Sequence, residues 1–395
     1  MTKICGNYII LFEVTDLNSL ENKILVPYRV CPLGAHIDHQ KGVVTGFAIN
    51  KGVTLRFEVS ENSKVFLQSK NFSGEIDFDL SEKLQKSGNW GDYAKSAAWS
   101  LIQSGRKITK GFHGIISGEL SAGGLSSSAA VIISYIKAFC SVNQITLTES
   151  ELISIAQNAE NGFIGLNCGI LDQSCEVLCQ KDSLLVLDTL DGSFRNIKKP
   201  DNMPDFEIGV FFSGMPRALV SSKYNLRTDE LRAASYALKA FSGEDYGRMD
   251  ASVLRDIPES VYRNFADKLP EPFRKRCEHY YSEMQRVKAG VEAFERGDTA
   301  EFGRQITESG NSSVNNYEAG SEELIKLFEI LKKTEGIYGS RFSGAGFKGC
   351  CMAIIDPAYK EKISAEVTEK YCRAFPALAD KFSVHFCKTA DGCSI

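Results

Sequence analysis

The part of this sequence with the clearest chemistry is a run of glycines and serines that leads into an apolar segment. Glycine lets the backbone approach a ligand closely, and the first amides and the dipole of a helix favour an anion. The run therefore predicts a phosphate-binding loop. It is not a Walker A loop, which ends in Gly-Lys-Ser or Gly-Lys-Thr. A serine N-cap is the alternative, but a cap needs only one serine. The loop consists of Gly123, Gly124, Leu125, Ser126, Ser127 and Ser128.

A second polar stretch, residues 27–39, reads P-Y-R-V-C-P-L-G-A-H-I-D-H. Its prolines and glycine interrupt any regular helix or strand, while arginine, histidine and aspartate supply several polar groups. Sugar hydroxyls need donors and acceptors close together. The composition indicates polyol recognition on a loop, and a solvated polar loop is the alternative interpretation.

A third stretch, residues 340–350, contains Gly344, Gly346 and Gly349 in the pattern G-x-G-x-x-G. This pattern is a dinucleotide fingerprint only where it opens a helix. Here the apolar run C-C-M-A-I-I follows, which is typical of a strand. We therefore reject the dinucleotide interpretation and predict a glycine turn that approaches a ligand before a strand.

Hydrophobic periodicity predicts mixed strands and helices in both halves of the chain. Two prolines and a charge cluster at residues 197–205 mark the best boundary, so we predict two α+β domains, residues 1–200 and 201–395. The predicted strands are residues 53–59, 64–68, 114–118, 184–188, 206–212, 352–355 and 382–386. The predicted helices are residues 126–140, 149–161, 219–241, 271–296 and 321–334.

Composition narrows the class of protein. A length of 395 residues also favours two domains. The net charge of −4, without a basic block, argues against nucleic acid or an anionic membrane surface as a partner. The 12 cysteines form no Cys-x-x-Cys pair and lie mostly in apolar runs, so we expect buried free thiols. We find no cleavable leader and no membrane span, and expect a cytoplasmic protein.

The three loops, in this order, resemble the motifs of the GHMP kinase superfamily, named for galactokinase, homoserine kinase, mevalonate kinase and phosphomevalonate kinase. The resemblance covers nearly the whole chain and is closest to galactokinases, whose first motif reads roughly G-R-V-N-L-I-G-E-H-T-D-Y. The run G-I-L-D-Q at residues 169–173 is similar to G-I-M-D-Q of that family, and S-S-K-Y at residues 221–224 to S-S-x-Y. In detail, R-V-C-P-L-G-A-H-I-D-H, Y-N-L-R and R-F-S-G-A-G-F-K-G-C-C resemble the galacturonokinases of plants.

The resemblance implies a two-domain α+β fold. Its amino-terminal domain would be similar to ribosomal protein S5, its carboxy-terminal domain would be ferredoxin-like, and the active site would lie in the cleft between them. Asp172 matches the carboxylate that accepts the proton of the anomeric hydroxyl, and Arg29 matches its charge partner. A structural salt bridge is the alternative for this pair.

The resemblance also implies the remaining ligands. Ser128 and Glu160 match the neighbourhood of the magnesium ion that accompanies ATP. Trp90 and Tyr93 match adenine-side aromatic residues, although a core anchor is an equal alternative for Trp90. The third loop would contribute to the ATP site through Gly344 and Gly346.

The acceptor site departs from the galactokinase pattern at one position. Galactokinases carry glutamate where this chain has Ala35, and in that family the glutamate accepts a hydrogen bond from the C6 hydroxyl of galactose. A sugar with a carboxylate at C6 would be repelled by glutamate. We therefore expect D-galacturonate as the substrate, with galactose or L-arabinose as alternatives. The matching substrate residues are Ala35, His36, Asp38, Gly169 and Tyr224.

A C6 carboxylate needs a positive partner, and Arg217, Lys223 and Arg227 are the candidates near the S-S-K-Y motif. Two other classes of protein remain as competitors: a sugar and ATP sensor without catalysis, and a dinucleotide-dependent oxidoreductase. The intact serine-rich loop disfavours the sensor. We expect a monomer or a weak homo-oligomer that binds a sugar and ATP.

Overall fold

The computed structural model describes residues 20–120, 123–215 and 221–393, with the backbone alone for residues 221–223. Residues 1–19, where a cleavable leader would lie, are outside the described residues. Arg217 is outside them as well. The eleven described cysteines are all free thiols and nine of them are buried, which confirms that prediction. Across the described part of the chain, no helix combines the length and apolar character that a bilayer span requires.

The strands and helices alternate through both halves of the chain. The strands are β1 (Asn22–Val30), β2 (Val43–Val59), β3 (Lys64–Ser69), β4 (Ile76–Asp79), β5 (Phe112–Gly118), β6 (Ser183–Asp188), β7 (Phe194–Lys198), β8 (Glu207–Phe212), β9 (Ile337–Phe342), β10 (Cys350–Ile355), β11 (Ser383–Cys387) and β12 (Thr389–Ala390). The helices are α1 (Asp92–Gln103), α2 (Ser127–Val142), α3 (Glu149–Asn158), α4 (Leu171–Leu178), α5 (Ser221–Ser242), α6 (Glu259–Phe265), α7 (Glu271–Glu295), α8 (Thr299–Asn315), α9 (Glu322–Leu331) and α10 (Lys360–Ala374).

The first sheet is organised around β2, a strand of 17 residues. The path of the sheet is β4-β3-β5-β2-β6-β7, and β1 and β12 also pair with β2. Among the strands of this sheet that the structure describes, only β3 and β5 run parallel. Because β2 is so long, different segments of it reach β1, β5 and β6, and one strand aligns the elements that carry the site residues.

Helix α2 packs over this sheet and is apolar on most of its surface. Its buried residues include Ile132, Ile133 and Phe139, and burial of such side chains contributes on the order of 1.5–3 kcal/mol each. Helix α3 begins at the predicted capping box, in which Thr148 and Glu151 bond reciprocally. It ends at Asn158 rather than 161, because the chain continues as a π-helical turn, Ala159–Ile164.

The second sheet is antiparallel, in the order β11-β8-β10-β9. Strand β10 lies at its centre and is completely buried. It follows Gly349 directly, so the glycine turn leads into a strand as predicted, and the dinucleotide interpretation is excluded.

The end of the described chain returns to the first sheet. In β12, Thr389 pairs with Ile49 of β2, and the amide of Cys393 donates to the carbonyl of Glu176 in α4 at 2.7 Å. The segment after β11 of the second sheet thereby contacts the first sheet and α4. A division of the chain at residues 200 and 201 stays a prediction.

Candidate active site

A cavity of 710 Å³ is lined by residues from both halves of the chain, and the three glycine-marked loops meet in it. Most of the residues predicted from sequence line this cavity. They are Arg29, Ala35, His36, Asp38, Trp90, Gly123, Gly124, Ser126, Ser127, Ser128, Glu160, Asp172, Tyr224 and Gly344. Leu125, Gly169 and Gly346 do not line it. The side chain of Leu125 belongs to the hydrophobic core instead.

Arg29 and Asp172 form a buried ion pair at the wall of the cavity. Both Nε and Nη2 of Arg29 lie 2.7 Å from Oδ1 of Asp172. Arg29 is 2% exposed, whereas the side chain of Asp172, in the first turn of α4, is 29% exposed. Burial lowers the pKa of Arg29, but the charge of Asp172 outweighs it and raises the pKa above its usual value. The pair thus presents a carboxylate to the cavity and keeps a fixed positive charge behind it.

The carbonyl of Gly124 connects the Arg29–Asp172 pair to the third loop. It accepts hydrogen bonds from Arg29 Nη1 at 3.2 Å and from the Ser343 hydroxyl at 2.6 Å. Gly124 has φ of +85°, and a Cβ there would lie 2.7 Å from the Cys350 sulfur, so only glycine fits. The phosphate loop is therefore held against both Arg29 and the third loop.

The first serine of the phosphate loop, Ser126, does not cap the helix that follows it. Ser126, at the N-cap position of α2, has φ of +58° and makes no side-chain capping bond. Its hydroxyl is buried and has no partner among the described residues. An orphaned buried hydroxyl is unfavourable unless a ligand bonds to it. The ordinary N-cap interpretation is wrong for Ser126, and the orphaned group fits a phosphate.

The predicted loop of residues 27–39 is shorter in the structure, because residues 27–30 belong to β1. The remaining sugar loop, residues 31–39, is held against α7 of the second half. The amide of Gly34 donates to the buried Glu283 carboxylate at 2.8 Å. The carbonyl of Ala35 lies 3.0 Å from Nε2 of the buried His279. Ala35 therefore has a fixed backbone, and its methyl group is 5% exposed at the cavity.

Asp38 meets the start of α4. Its Oδ2 accepts from the Leu171 amide at 3.3 Å, and a Cβ at Gly169 would lie 2.2 Å from the same oxygen. Gly169 is therefore required for close packing. This explains why glycine occurs here although it does not line the cavity. Burial, and then the charge of Asp172, raise the pKa of Asp38 to about 6.

His36 is a second buried polar residue of the sugar loop that lines the cavity. It is 5% exposed, and its Nε2 has no partner among the described residues. Burial, and then His279, hold the pKa of His36 well below its usual range. A neutral imidazole with an unsatisfied nitrogen at a cavity wall fits a hydrogen bond to a substrate oxygen.

Tyr224 of α5 lines the cavity from the second half of the chain. Burial, and then the charge of Asp38, raise the pKa of its hydroxyl well above the usual value. Arg227, one turn further, does not reach the cavity: it bonds to Glu230 at 3.0 Å and to the carbonyl of Tyr317 at 3.0 Å. It is a wrong candidate for a substrate carboxylate, because Glu230 already neutralises it. The side chain of Lys223 lies outside the described residues.

Glu160 and the serines form the group of oxygens that could hold magnesium. Glu160 lies on the π-helical turn, is 2% exposed and accepts from Gln173 Nε2 at 2.6 Å. Gln173 follows Asp172, so Glu160 is fixed relative to that carboxylate. No cluster of three or more acidic, histidine or cysteine residues in the described chain could hold a metal alone. Such a sparse oxygen set, with Ser128 in the cavity lining, fits a magnesium ion bound largely through phosphate oxygens.

Aromatic side chains line the remaining wall. Trp90 packs partly against the core and donates through Nε1 to the carbonyl of Ser73 at 3.3 Å. Phe72 and Tyr93 line the cavity beside the same segment. The assignment of Trp90 to adenine stays a prediction. Phe72 was missed from sequence, since a half-exposed phenylalanine in a loop carries no local pattern.

Comparison with known proteins identifies the family. The model of the GHMP kinases N terminal domain matches residues 92–180, and the model of the GHMP kinases C terminal domain matches residues 291–373. A galacturonokinase from Arabidopsis thaliana is 38% identical over 396 residues, which cover 94% of this chain and 93% of that protein. The chain belongs to the GHMP kinases.

Two further similarities describe this GHMP kinase. A galactokinase from Roseiflexus sp. is 30% identical, covering 93% of this chain and 91% of the relative. The crystal structure of Lactococcus lactis galactokinase complexed with galactose matches with a TM-score of 0.84 and 29% identity, over 94% of each chain. The predicted two-domain GHMP kinase fold is thereby confirmed, and the protein is a phosphotransferase of the galactokinase-like type.

Proposed function

We propose that this kinase transfers the γ-phosphoryl group of ATP to the anomeric hydroxyl of D-galacturonate, giving α-D-galacturonate 1-phosphate and ADP. In the reaction the bond between the γ-phosphorus and the β,γ-bridging oxygen breaks, and a bond between the γ-phosphorus and the anomeric oxygen forms. The proton of the hydroxyl passes to Asp172. ATP supplies the phosphoryl group and is consumed as a substrate.

The Arg29–Asp172 ion pair supports the assignment of Asp172 as the proton acceptor. Arg29 places its positive charge against Asp172 through two 2.7 Å contacts, and a carboxylate in this position can accept a proton from a substrate hydroxyl. A guanidinium beside the transferred group also offsets developing negative charge. Positioning and charge stabilisation are the main contributions a protein makes to phosphoryl transfer.

The phosphate loop and Glu160 support the ATP end. The orphaned Ser126 hydroxyl and the exposed amides at the start of α2 would hold the phosphates. Ser128 and Glu160 would hold magnesium, which when bound neutralises phosphate charge and orients the nucleotide.

The observation that carries the choice of acceptor is the position of Ala35 in the cavity wall. A carboxylate at this position would face the C6 carboxylate of a uronate, and two charges 4 Å apart at an effective dielectric constant of 20 repel by about 4 kcal/mol. Alanine removes that repulsion. The 38% identical relative named galacturonokinase points the same way.

A neutral acceptor is the second candidate, since alanine also tolerates galactose or L-arabinose. The deciding measurement is kcat/KM for D-galacturonate, D-galactose and L-arabinose with ATP and Mg²⁺. We expect galacturonate to be preferred by on the order of 100-fold. A preference for galactose or L-arabinose would overturn the uronate assignment, and no turnover with any of them would favour a sensor.

A further inference from the structure

We propose that Lys348 binds an anionic group of the reacting pair, either the C6 carboxylate of the acceptor or the γ-phosphoryl group of ATP. The inference builds on the proposed function and assigns a role to a residue that none of the motifs singled out. Lys348 lies on the third loop, is half-buried and lines the cavity. Among the described residues, Lys348 has no carboxylate within ion-pair distance. Arg29, by contrast, is paired with Asp172.

The loop that carries Lys348 is fixed against the phosphate loop. A Cβ at Gly349 would lie 2.8 Å from the carbonyl carbon of Gly123, and one at Gly344 would lie 3.0 Å from Cα of Gly124. These two glycines flank the turn that presents Lys348. Lys348 therefore lines the cavity from a segment whose flanking glycines are in direct contact with the phosphate loop.

The charged residues of the described cavity lining indicate what Lys348 binds. Asp38, Glu160 and Asp172 supply three carboxyl groups to the lining, and Arg29 and Lys348 are the Lys and Arg side chains that the described lining contributes. Arg29 is already bonded to Asp172 and to the Gly124 carbonyl. Both proposed substrates are anions, so a cation that no carboxylate neutralises is the group their binding requires.

The free energy of hydration also favours the binding of an anion by Lys348. A half-buried ammonium gives up part of its hydration, and it regains that free energy by bonding to an oxygen anion. A carboxylate and a phosphoryl group offer the same chemistry to a lysine, a compact charge with three donors. The two sources differ in which substrate loses affinity when the charge is removed.

The test compares Lys348→Met with Lys348→Arg and with Lys326→Met as the matched control. Lys326 is an exposed lysine on α9 outside the cavity lining. We expect Lys348→Met to lower kcat/KM for galacturonate by about 10- to 100-fold. Lys348→Arg should keep activity within about threefold of wild type, and Lys326→Met should match wild type.

The kinetic pattern identifies the anion. If Lys348 binds the C6 carboxylate, the Met variant raises KM for galacturonate and leaves KM for ATP and turnover of galactose unchanged. If it binds the γ-phosphoryl group, the Met variant lowers turnover of both sugars by the same factor. Titration calorimetry with D-galacturonate alone separates the two, because only the first case weakens that binding.

The proposal is overturned if Lys348→Met, folded by its melting temperature, keeps kcat/KM for both sugars within twofold of wild type. It is equally overturned if Lys348→Arg loses as much as the Met variant, since the charge would then be irrelevant. Should the Met variant not fold, Lys348→Gln replaces it in the same comparison. Failure of the proposed function appears instead in the wild-type enzyme, as a preference for a neutral sugar.

Discussion

The imidazole of His36 lies face to face on the phenol ring of Tyr317, with centroids 4.2 Å apart and 9° between the ring planes. His36 has φ of +66°, a left-handed conformation that surrounding structure must stabilise. The turn that carries Tyr317 is held by two arginines: Arg227 donates to the Tyr317 carbonyl at 3.0 Å, and Arg276 donates to the Asn316 carbonyl at 2.6 Å. The orientation of the sugar loop thus depends on a turn of the second half of the chain.

Replacing Tyr317 should therefore weaken sugar binding and spare ATP. A stacked aromatic pair contributes about 0.5–1.5 kcal/mol beyond its buried area, so Tyr317→Leu should raise KM for the sugar by about 2- to 10-fold. KM for ATP should stay within twofold, and Tyr317→Phe should restore most of the sugar affinity. Steady-state kinetics with each substrate varied in turn provides the measurement.

The control for this prediction is Tyr262, another buried tyrosine, which stacks on Tyr281 with centroids 5.0 Å apart. Tyr262→Leu should lower the melting temperature to a similar degree without changing KM for the sugar. An unchanged sugar KM in Tyr317→Leu would show that the stack has only a structural role.

Asp172→Asn should remove most of the turnover and leave substrate binding unchanged. Asparagine can still accept from Arg29 but cannot take up the proton, and the loss of a general base lowers kcat by on the order of 10²–10⁴-fold. Titration calorimetry should give sugar and nucleotide affinities close to wild type. The free energy of unfolding should fall by about 1–3 kcal/mol, because the buried Arg29 loses its counter-charge.

A second arginine–aspartate pair separates catalysis from stability in that experiment. Arg255 contacts Asp188 at 2.6 Å, and Asp188 is 26% exposed, similar to Asp172. Asp188→Asn should lose stability without losing turnover. Retention of wild-type kcat in Asp172→Asn would contradict the assignment of the base.

Ala35→Glu should lose galacturonate activity through charge and not through size. We expect kcat/KM for galacturonate to fall by at least about 100-fold, in line with a repulsion of several kcal/mol. Ala35→Gln, with nearly the same shape and no charge, should lose much less. Equal losses in the two variants would mean that the side chain obstructs the site and that repulsion does not set the specificity.

The buried Asp38 should make stability depend on pH. Its pKa is raised from 3.8 to about 6 in the folded protein, so the folded state binds more protons than the unfolded state between these values. Its contribution to stability is therefore present at low pH and is lost as pH rises towards 6. Asp38→Asn lacks this dependence, and its stability relative to wild type should increase between pH 4 and pH 7.

Urea unfolding of both proteins across that range tests the sign. The neighbouring groups that act on Asp38 are the Asp172 carboxylate, which raises its pKa, and the Leu171 amide, which lowers it. A stability difference that stays constant with pH would show that Asp38 titrates near its ordinary value.

The sequence predicted the parts of the site that lie within short runs of the chain. Glycines and serines before an apolar helix indicated the phosphate loop, and polar residues between helix breakers indicated the sugar loop. The long strand β2 was predicted only at residues 53–59, because its first half is buried on both faces and shows no alternation of polar and apolar residues.

Contacts between distant residues were not predictable from local pattern. Tyr317 lies 281 positions from the histidine it stacks on, and nothing in its neighbours indicates that contact. Lys348 lies within the G-x-G-x-x-G pattern, which indicates a dinucleotide and gives no role to the lysine. Arg227 was chosen by proximity in sequence to the S-S-K-Y motif, and its bond to the distant Tyr317 carbonyl depends on how α5 packs.

The return of β12 to the first sheet has a consequence for biosynthesis. A ribosome delivers β2 and α4 early, but Thr389, which pairs with Ile49, and Cys393, which donates to the Glu176 carbonyl, emerge only much later. Native contacts across so many residues form late, since the intervening chain must first be ordered. The enzyme should therefore gain activity only after residues 389–393 have emerged, and a nascent chain stalled before residue 389 should be partly structured and inactive.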